Sequence, residues 1–116
     1  MKNRHLPLNV LILDDRYSRG DALRRKLKNL HPEYFVENVV QIEKSGFESR
    51  ECDVAIVHMN NKETLDLRHE WDRDNVRLII FSGGLPDGKP TTQQNAILVG
   101  DEYLMENLEE VVFGSA

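Results

Sequence analysis

Five short, largely apolar runs constrain the fold of this chain more than any other feature of its sequence. They span residues 10–13, 36–40, 54–57, 76–81 and 96–99. The runs lack the regular polar alternation of a sheet with one face in water, so each is typical of a strand covered on both faces. Strands of this kind form parallel sheets with helices packed on either side. The sequence therefore predicts an α/β fold built on a parallel sheet.

The composition is that of one soluble, globular domain. A core commonly organises about 100 to 150 residues, so residues 1–116 are predicted to form a single domain. The formal net charge of −5 argues against nucleic-acid binding, which needs a clustered excess of Lys and Arg. Residues 1–8 form neither a signal-peptide core nor a membrane span. Cys52 is the single cysteine, so no intramolecular disulfide forms and a cytoplasmic location is expected.

Helices are predicted between the strands, except in one connection. Residues 18–30 have apolar positions at helical spacing, with Ser18 as the predicted N-cap. A short or irregular helix is expected over 43–51 and a longer one over 61–74, and Asp101 is expected to cap a C-terminal helix closed by Gly114. Residues 82–95 hold three glycines and two prolines without a helical stripe, so a long loop is predicted to replace the fourth helix.

Polar residues stand at the ends of three predicted strands. Asp14 and Asp15 follow the first strand, His58 follows the third, and Ser82 ends the fourth. Two adjacent carboxylates offer the hard oxygen ligands that divalent cations such as magnesium prefer. These four residues are therefore the candidate site.

The order of strands and helices, opening with this aspartate pair, resembles the receiver domain of two-component response regulators over nearly the whole chain. The resemblance implies a doubly wound, flavodoxin-like fold with a five-stranded parallel sheet in the order 2-1-3-4-5. It also implies that Asp14 and Asp15 match the acidic pair that binds magnesium. Ser82 matches the residue that hydrogen-bonds the phosphoryl group, and Asn60 matches a metal-binding backbone position.

Two positions depart from the receiver pattern. His58 stands where receivers hold the phospho-accepting aspartate, and a neutral imidazole cannot form the acyl phosphate. Gly100 and Asp101 follow the fifth strand, where receivers hold a lysine that pairs with the phosphate. Lys89-Pro90 imitates the family's Lys-Pro dipeptide but stands before that strand. The resemblance therefore implies a pseudo-receiver with a degenerate phosphorylation site at Asp14, Asp15, His58 and Ser82.

The function expected from this resemblance is signalling through protein–protein interaction, without enzymatic activity. The implied partners are a sensor kinase, an output protein or a second copy of the chain, with no direct contact to nucleic acid or membrane. No cofactor is expected beyond a weakly bound divalent cation at Asp14, Asp15 and Asn60.

A different interpretation makes the same residues a metal centre. Imidazole suits zinc or manganese, so His58 is an alternative ligand with Asp14 and Asp15 in a small metal- or nucleotide-dependent enzyme or binding protein. His58 as a phosphate acceptor is a further alternative. The remaining alternative gives His58 no chemical role, with its imidazole held by a neighbouring carboxylate at an inactive site.

The glycine-rich segment after the fourth strand matches the spacing of a phosphate-binding loop only up to its lysine. Pro90 follows Lys89 and has no hydroxyl to bind magnesium, so nucleotide binding there is disfavoured. We interpret the segment instead as an interaction loop, whose candidate residues are Gly83, Gly84, Asp87 and Lys89.

Charge separates between the first and last predicted helices. The first carries +5, from Arg16, Arg19, Arg24, Arg25, Lys26 and Lys28 against Asp21, and the last carries −5, from Asp101, Glu102, Glu106, Glu109 and Glu110. Helices that lie side by side would pair these charges across their edges, each exposed pair contributing about 0 to 1 kcal/mol. The alternative is a surface for a partner.

Overall fold

The fold is a six-stranded sheet with one long and two short helices among the described residues. The computed structural model describes residues 8–39, 52–58, 76–83, 89–93 and 96–113. The strands are β1 Asn9–Leu13, β2 Phe35–Val39, β3 Val54–His58, β4 Arg77–Ser82, β5 Thr91–Gln93 and β6 Ala96–Gly100. The helices are α1 Tyr17–Leu30, α2 Asp101–Glu106 and α3 Leu108–Phe113. Within these ranges no helix combines the length and the apolar character needed to cross a bilayer.

The sheet has the order β2-β1-β3-β4-β6-β5. β1 lies parallel between β2 and β3, with Val10 opposite both Val36 and Val54. β4 pairs in parallel with β3 and β6, so that Ser82 stands opposite Gly100. The predicted parallel order 2-1-3-4-5 is therefore confirmed, with β6 as its fifth strand.

The number of strands and the predicted loop over 82–95 need one correction. Thr91–Gln93 forms a sixth strand that runs antiparallel to β6, with Thr92 opposite Ile97. β-branched threonines favour extended backbone, and pairing here covers an edge of β6 that would otherwise lack a partner. No described residue between β4 and β6 is helical, as predicted, while residues 84–88 and 94–95 lie outside the described ranges.

Apolar side chains cover both faces of the sheet, as the largely apolar strands predicted. On one face α1 contributes Leu23 and Leu27, and α2 and α3 contribute Leu104 and Leu108 to the same core. The other face is equally buried, and its core residues include Leu11, Leu13, Ala55, Val57 and Ile80. Cys52 packs in this second core. The helices predicted over 43–51 and 61–74 lie outside the described residues.

The helix starts differ from the predicted caps. The N-cap of α1 is Arg16 rather than Ser18, and Oδ1 of Asp14 accepts the Arg16 backbone N–H at 2.9 Å. At the C-terminus, Gly100 is the N-cap residue and Asp101 is already helical. Asn107 divides the predicted single helix, because its backbone angles, φ −124° and ψ 38°, are not helical. Its backbone N–H and its side-chain amide both donate to the Tyr103 carbonyl, at 2.9 and 3.2 Å. Gly114 lies outside the described residues.

The predicted pairing of charges between the first and last helices is largely replaced by a contact to main chain and by ion pairs within the first helix. Lys26 Nζ donates to the Met105 carbonyl near the end of α2. Arg24 and Arg25 both pair with Asp21 of their own helix. Within the described residues, a side-chain hydrogen bond between these helices joins His31 Nε2, at the C-cap of α1, and Glu109 Oε1, at 3.1 Å. The predicted Lys and Arg pairs with the glutamates therefore do not form among these residues.

Candidate functional site at the carboxyl ends of the strands

The structure brings three of the predicted residues together at the carboxyl ends of β1 and β3. Asp14 and Asp15 follow β1, and His58 is the last residue of β3. One ligand atom from each lies within 4.8 Å of those of the other two. We call Asp14, Asp15 and His58 the strand-end cluster. Its position is the one where ligands bind in parallel α/β sheets.

Asp14 is the most enclosed member of the cluster, with no exposed surface. Its backbone N–H donates to the Val39 carbonyl at 3.1 Å, which ties it to β2. Burial opposes ionisation of this carboxyl group, but hydrogen bonds from Arg19 and from the Arg16 backbone, together with the charge of Arg19, hold its pKa below the ordinary value. Asp14 is therefore an ionised, buried carboxylate at neutral pH.

Arg19 supplies the counter-charge, although the sequence pattern places it only among the basic residues of the first helix. Its Nε donates to Asp14 Oδ2 at 2.6 Å, and its Nη2 donates to Asp14 Oδ1 at 2.7 Å. Nη2 also reaches Asp15 Oδ1 at 3.3 Å. The hydrogen bond to Asp14 raises the pKa of Arg19. Arg19 is the third residue of α1, and its spacing from Asp14 alone does not distinguish it from the other basic residues of that helix.

His58 is buried at the end of β3 and packs edge-on against Phe81, with ring centroids 5.1 Å apart. Its Nδ1 lies 3.7 Å from Asp15 Oδ1, which is longer than a hydrogen bond. Burial, followed by the charge of Arg19, lowers the pKa of His58 against the opposing effect of the neighbouring aspartates. The imidazole is therefore neutral at pH 7.

The other predicted site residues lie at the periphery or outside the described ranges. Ser82 ends β4, the strand next to β3, and is partly exposed. Gly83 is exposed, and a Cβ placed on it would lie 3.3 Å from Asp101 Oδ2. Lys89 is exposed just before β5. Asn60, Gly84 and Asp87 lie outside the described residues.

The end of β6 differs from the receiver pattern in the way that the sequence predicts. Gly100 is the last residue of β6, is buried, and stands opposite Ser82. Asp101 begins α2 directly afterwards. A carboxylate therefore follows the strand at which receivers place a lysine, and its charge acts on both Arg19 and His58.

A solved structure of similar fold supports the receiver-like architecture. The chain matches the chemotaxis response regulator CheY4 of Vibrio cholerae with a TM-score of 0.57 and 18% sequence identity. The match covers 91% of this chain and 99% of that one. The sequence matches no protein-family model and no curated protein. The likeness shows that the chain has the fold of a receiver domain.

Proposed function

We propose that this chain is a receiver-like signalling domain that acts through protein contacts, without phosphoryl transfer at the usual position. The observation that carries the proposal is His58, an imidazole at the end of the strand where the receiver resemblance calls for an acceptor carboxylate. The receiver fold found in the structural comparison supports the signalling role. In this proposal the chain keeps the fold of a receiver domain but lacks its phosphate-accepting carboxylate.

The chemistry of the strand-end cluster supports this proposal. An acyl phosphate forms on a carboxylate oxygen, and a neutral imidazole has no such oxygen. His58 also packs edge-on against Phe81 in a largely buried position. Asp14, the fully buried carboxylate of the strand-end cluster, already forms an ion pair with Arg19. In this proposal neither residue serves as a phosphate acceptor.

The outer surface of α2 and α3 is our candidate for the partner contact. Glu102, Glu106 and Glu110 are exposed there, and none of them takes part in an ion pair within the described residues. Glu102 and Glu106 are like charges four residues apart, a spacing that destabilises a helix. Such a stripe suits a partner that presents basic side chains.

Intact-mass spectrometry after incubation with acetyl phosphate and magnesium tests the proposed function. We expect no added phosphoryl group on the wild-type chain. A stoichiometric mass increase that disappears in an Asp14→Asn or Asp15→Asn variant would sink the proposal, since it would show that phosphorylation at the cluster survives the loss of the acceptor. An Asp53→Asn variant is the matched control, because Asp53 precedes β3 at the opposite edge of the sheet.

The strand-end cluster also favours a second candidate, a small metal-dependent enzyme or binding protein. Two carboxylates and one imidazole within 4.8 Å of one another are a ligand set for zinc or manganese. Calorimetry with zinc decides this candidate. Saturable binding by the wild-type chain that a His58→Ala variant loses would support it, and absence of wild-type binding would remove it. A thermal-shift screen with nucleotides tests the nucleotide-dependent form of the same candidate.

A further inference from the structure

The guanidinium of Arg19 occupies the space between the two aspartates of the strand-end cluster. It forms two parallel hydrogen bonds with Asp14, at 2.6 and 2.7 Å, and a longer one with Asp15, at 3.3 Å. This fork geometry is the strongest form of pairing between arginine and a carboxylate. The position between the carboxylates is also the one that a divalent cation would need.

Three local features fix Arg19 in this place. The Asp14 side chain is held by the Arg16 backbone N–H, so its two oxygens have a defined orientation at the start of α1. Arg19 lies in the first turn of that helix, which directs its side chain back toward the end of β1. The guanidinium carbon lies 5.8 Å from the centre of the Phe81 ring, a distance at which a cation is attracted to an aromatic face.

The residues present do not fit the magnesium ion that a receiver fold implies. Magnesium requires near-octahedral oxygen ligands at about 2.0 to 2.1 Å. Both oxygens of Asp14 accept hydrogen bonds from Arg19, and the third member of the cluster, His58, offers nitrogen. A bound magnesium ion would also face the positive charge of Arg19 at close range.

We infer that Arg19 is the resident cation of the strand-end cluster and that it excludes divalent metal ions from Asp14 and Asp15. The cluster keeps the geometry of a cation site, but the protein supplies the positive charge from its own chain. This inference goes beyond the proposed function, because it concerns what fills the site rather than whether the site accepts a phosphoryl group.

Removing Arg19 should expose a site for a transition-metal ion. The ligand atoms of Asp14, Asp15 and His58 lie within 4.8 Å of one another, and a metal with ligands at about 2.0 to 2.2 Å needs them within roughly 4 Å. Small side-chain rotations would close that gap. The combination of imidazole and carboxylate favours cobalt or zinc over magnesium.

Titration with cobalt(II), followed by calorimetry and by its visible absorption, tests this inference. We expect saturable binding by Arg19→Ala at cobalt concentrations where the wild-type chain shows none, which corresponds to an affinity difference on the order of a hundredfold or more, since a competing positive charge has been removed. Arg25→Ala is the matched control, because Arg25 belongs to the same helix and pairs with Asp21 instead. It should behave like the wild type.

Two further variants keep the test decisive. Arg19→Ala/His58→Ala should lose the cobalt absorption that Arg19→Ala gains, and Arg19→Met retains more of the apolar stem if the alanine variant does not fold. Saturable binding of cobalt by the wild-type chain would overturn the inference, whatever the variants do. So would a folded Arg19 variant that binds cobalt no better than Arg25→Ala.

The outcomes separate this inference from the proposed function. Phosphorylation of the wild-type chain by acetyl phosphate, together with cobalt binding gained only on removal of Arg19, would refute the proposed function and leave the inference standing. If acetyl phosphate does not phosphorylate the wild-type chain and the wild-type chain binds cobalt, the inference alone is refuted.

Discussion

Polar side chains at the two ends of the parallel strands bind different kinds of partner. We call the amino ends of these strands the amino edge of the sheet and their carboxyl ends the carboxyl edge. At the amino ends of the strands, Arg77 donates from Nε and Nη2 to the Val111 carbonyl at 3.2 and 2.9 Å. At the same edge Asp53 Oδ2 accepts the Asn9 backbone N–H at 2.8 Å. At the carboxyl ends, Arg19 and Asp14 bind each other at 2.6 Å. Arg77 and Asp53 at the amino edge therefore bind main-chain groups, whereas Arg19 and Asp14 at the carboxyl edge bind each other.

The two arginines show what this difference means physically. Burial lowers the pKa of Arg77, and its hydrogen-bond acceptor among the described residues is the Val111 carbonyl. The pKa of Arg19 is raised, because its guanidinium faces the Asp14 carboxylate. An arginine that donates hydrogen bonds to a backbone carbonyl, as Arg77 does to Val111, fixes the end of a helix. An arginine between carboxylates sets the charge of a site, and it is this pairing that we attribute to function.

The largest effect is expected from Asp14→Ala, which would leave Arg19 without its buried partner. Breaking a buried ion pair costs about 3 to 5 kcal/mol of unfolding free energy, and we expect about 2 to 4 here because Arg19 is partly exposed. Urea denaturation measures the change. Asp15→Ala is the control, since the Asp15 side chain is 53% exposed, and it should cost at most about 1 kcal/mol. Equal losses in the two variants would contradict the assignment.

A double-mutant cycle sharpens that prediction. The loss in Asp14→Ala/Arg19→Ala should be smaller than the sum of the single losses by about 1 to 3 kcal/mol, because the second change removes the charge that the first left unpaired. Additive losses would show that the two side chains are independent in solution.

The amino edge should respond to Arg77→Met with a smaller loss of stability. The change removes the two hydrogen bonds to the Val111 carbonyl, and charged donors to such acceptors contribute about 1 to 3 kcal/mol. Chemical denaturation measures this loss, and metal titration of the same variant should match the wild type. Arg25→Met, which changes an exposed arginine of α1, should leave stability unchanged. A larger loss from Arg77→Met than from Asp14→Ala would reverse the ranking of the two edges.

Stability should fall in two stages as the pH is lowered. Below an ordinary histidine pKa of about 6.5, an unfolded chain binds protons that the buried His58 takes up only at lower pH, so the native state loses stability. The depressed pKa of Asp14 produces the second loss below about 3.8. Denaturation midpoints across pH 4 to 8 check the first stage, which His58→Phe should remove and Asp15→Asn should not. A wild-type stability that rises as the pH falls from about 7 to 5 would contradict the assigned direction.

The smallest effect is expected from His31→Ala at the amino edge. His31 stacks on Tyr34 with ring centroids 4.3 Å apart and contacts Glu109 at 3.1 Å. An aromatic contact contributes about 0.5 to 1.5 kcal/mol, and a solvent-exposed hydrogen bond adds little. We expect a loss of about 1 kcal/mol in thermal or chemical denaturation. His31→Phe, which keeps the stacking, should recover most of it, and a failure to recover would assign the contribution to Glu109 instead.

The strands and their order followed from the sequence because apolar runs covered on both faces have few alternative arrangements. The predicted runs at 10–13 and 54–57 lie within β1 and β3. β5 was missed, since Thr91–Gln93 has no apolar signal of its own and depends on pairing with β6. The cap of α1 was misassigned because the Asp14 side chain, which lies before the helix, accepts the Arg16 backbone N–H in place of a residue at the predicted helix start.

The sequence allowed the residues of the strand-end cluster to be predicted, but not the arginine that binds them. Asp14, Asp15 and His58 could be placed together because strand ends meet at one edge of a parallel sheet. Arg19 could not be singled out among six basic residues of one helix region, because its role depends on the direction of one side chain. That direction is set by packing against Phe81 and by the fixed oxygens of Asp14.

The most direct test of the central claim is nuclear magnetic resonance of the Arg19 Nε–H group during a magnesium titration. A guanidinium held by Asp14 should give an exchange-protected signal, assigned by its loss in Arg19→Lys and shifted in Asp14→Asn. We expect that signal to remain unchanged in position and intensity as magnesium is added to the wild-type chain. A saturable shift or loss of the Arg19 signal with magnesium would show that the metal displaces the arginine, and would contradict the claim that the chain supplies its own cation.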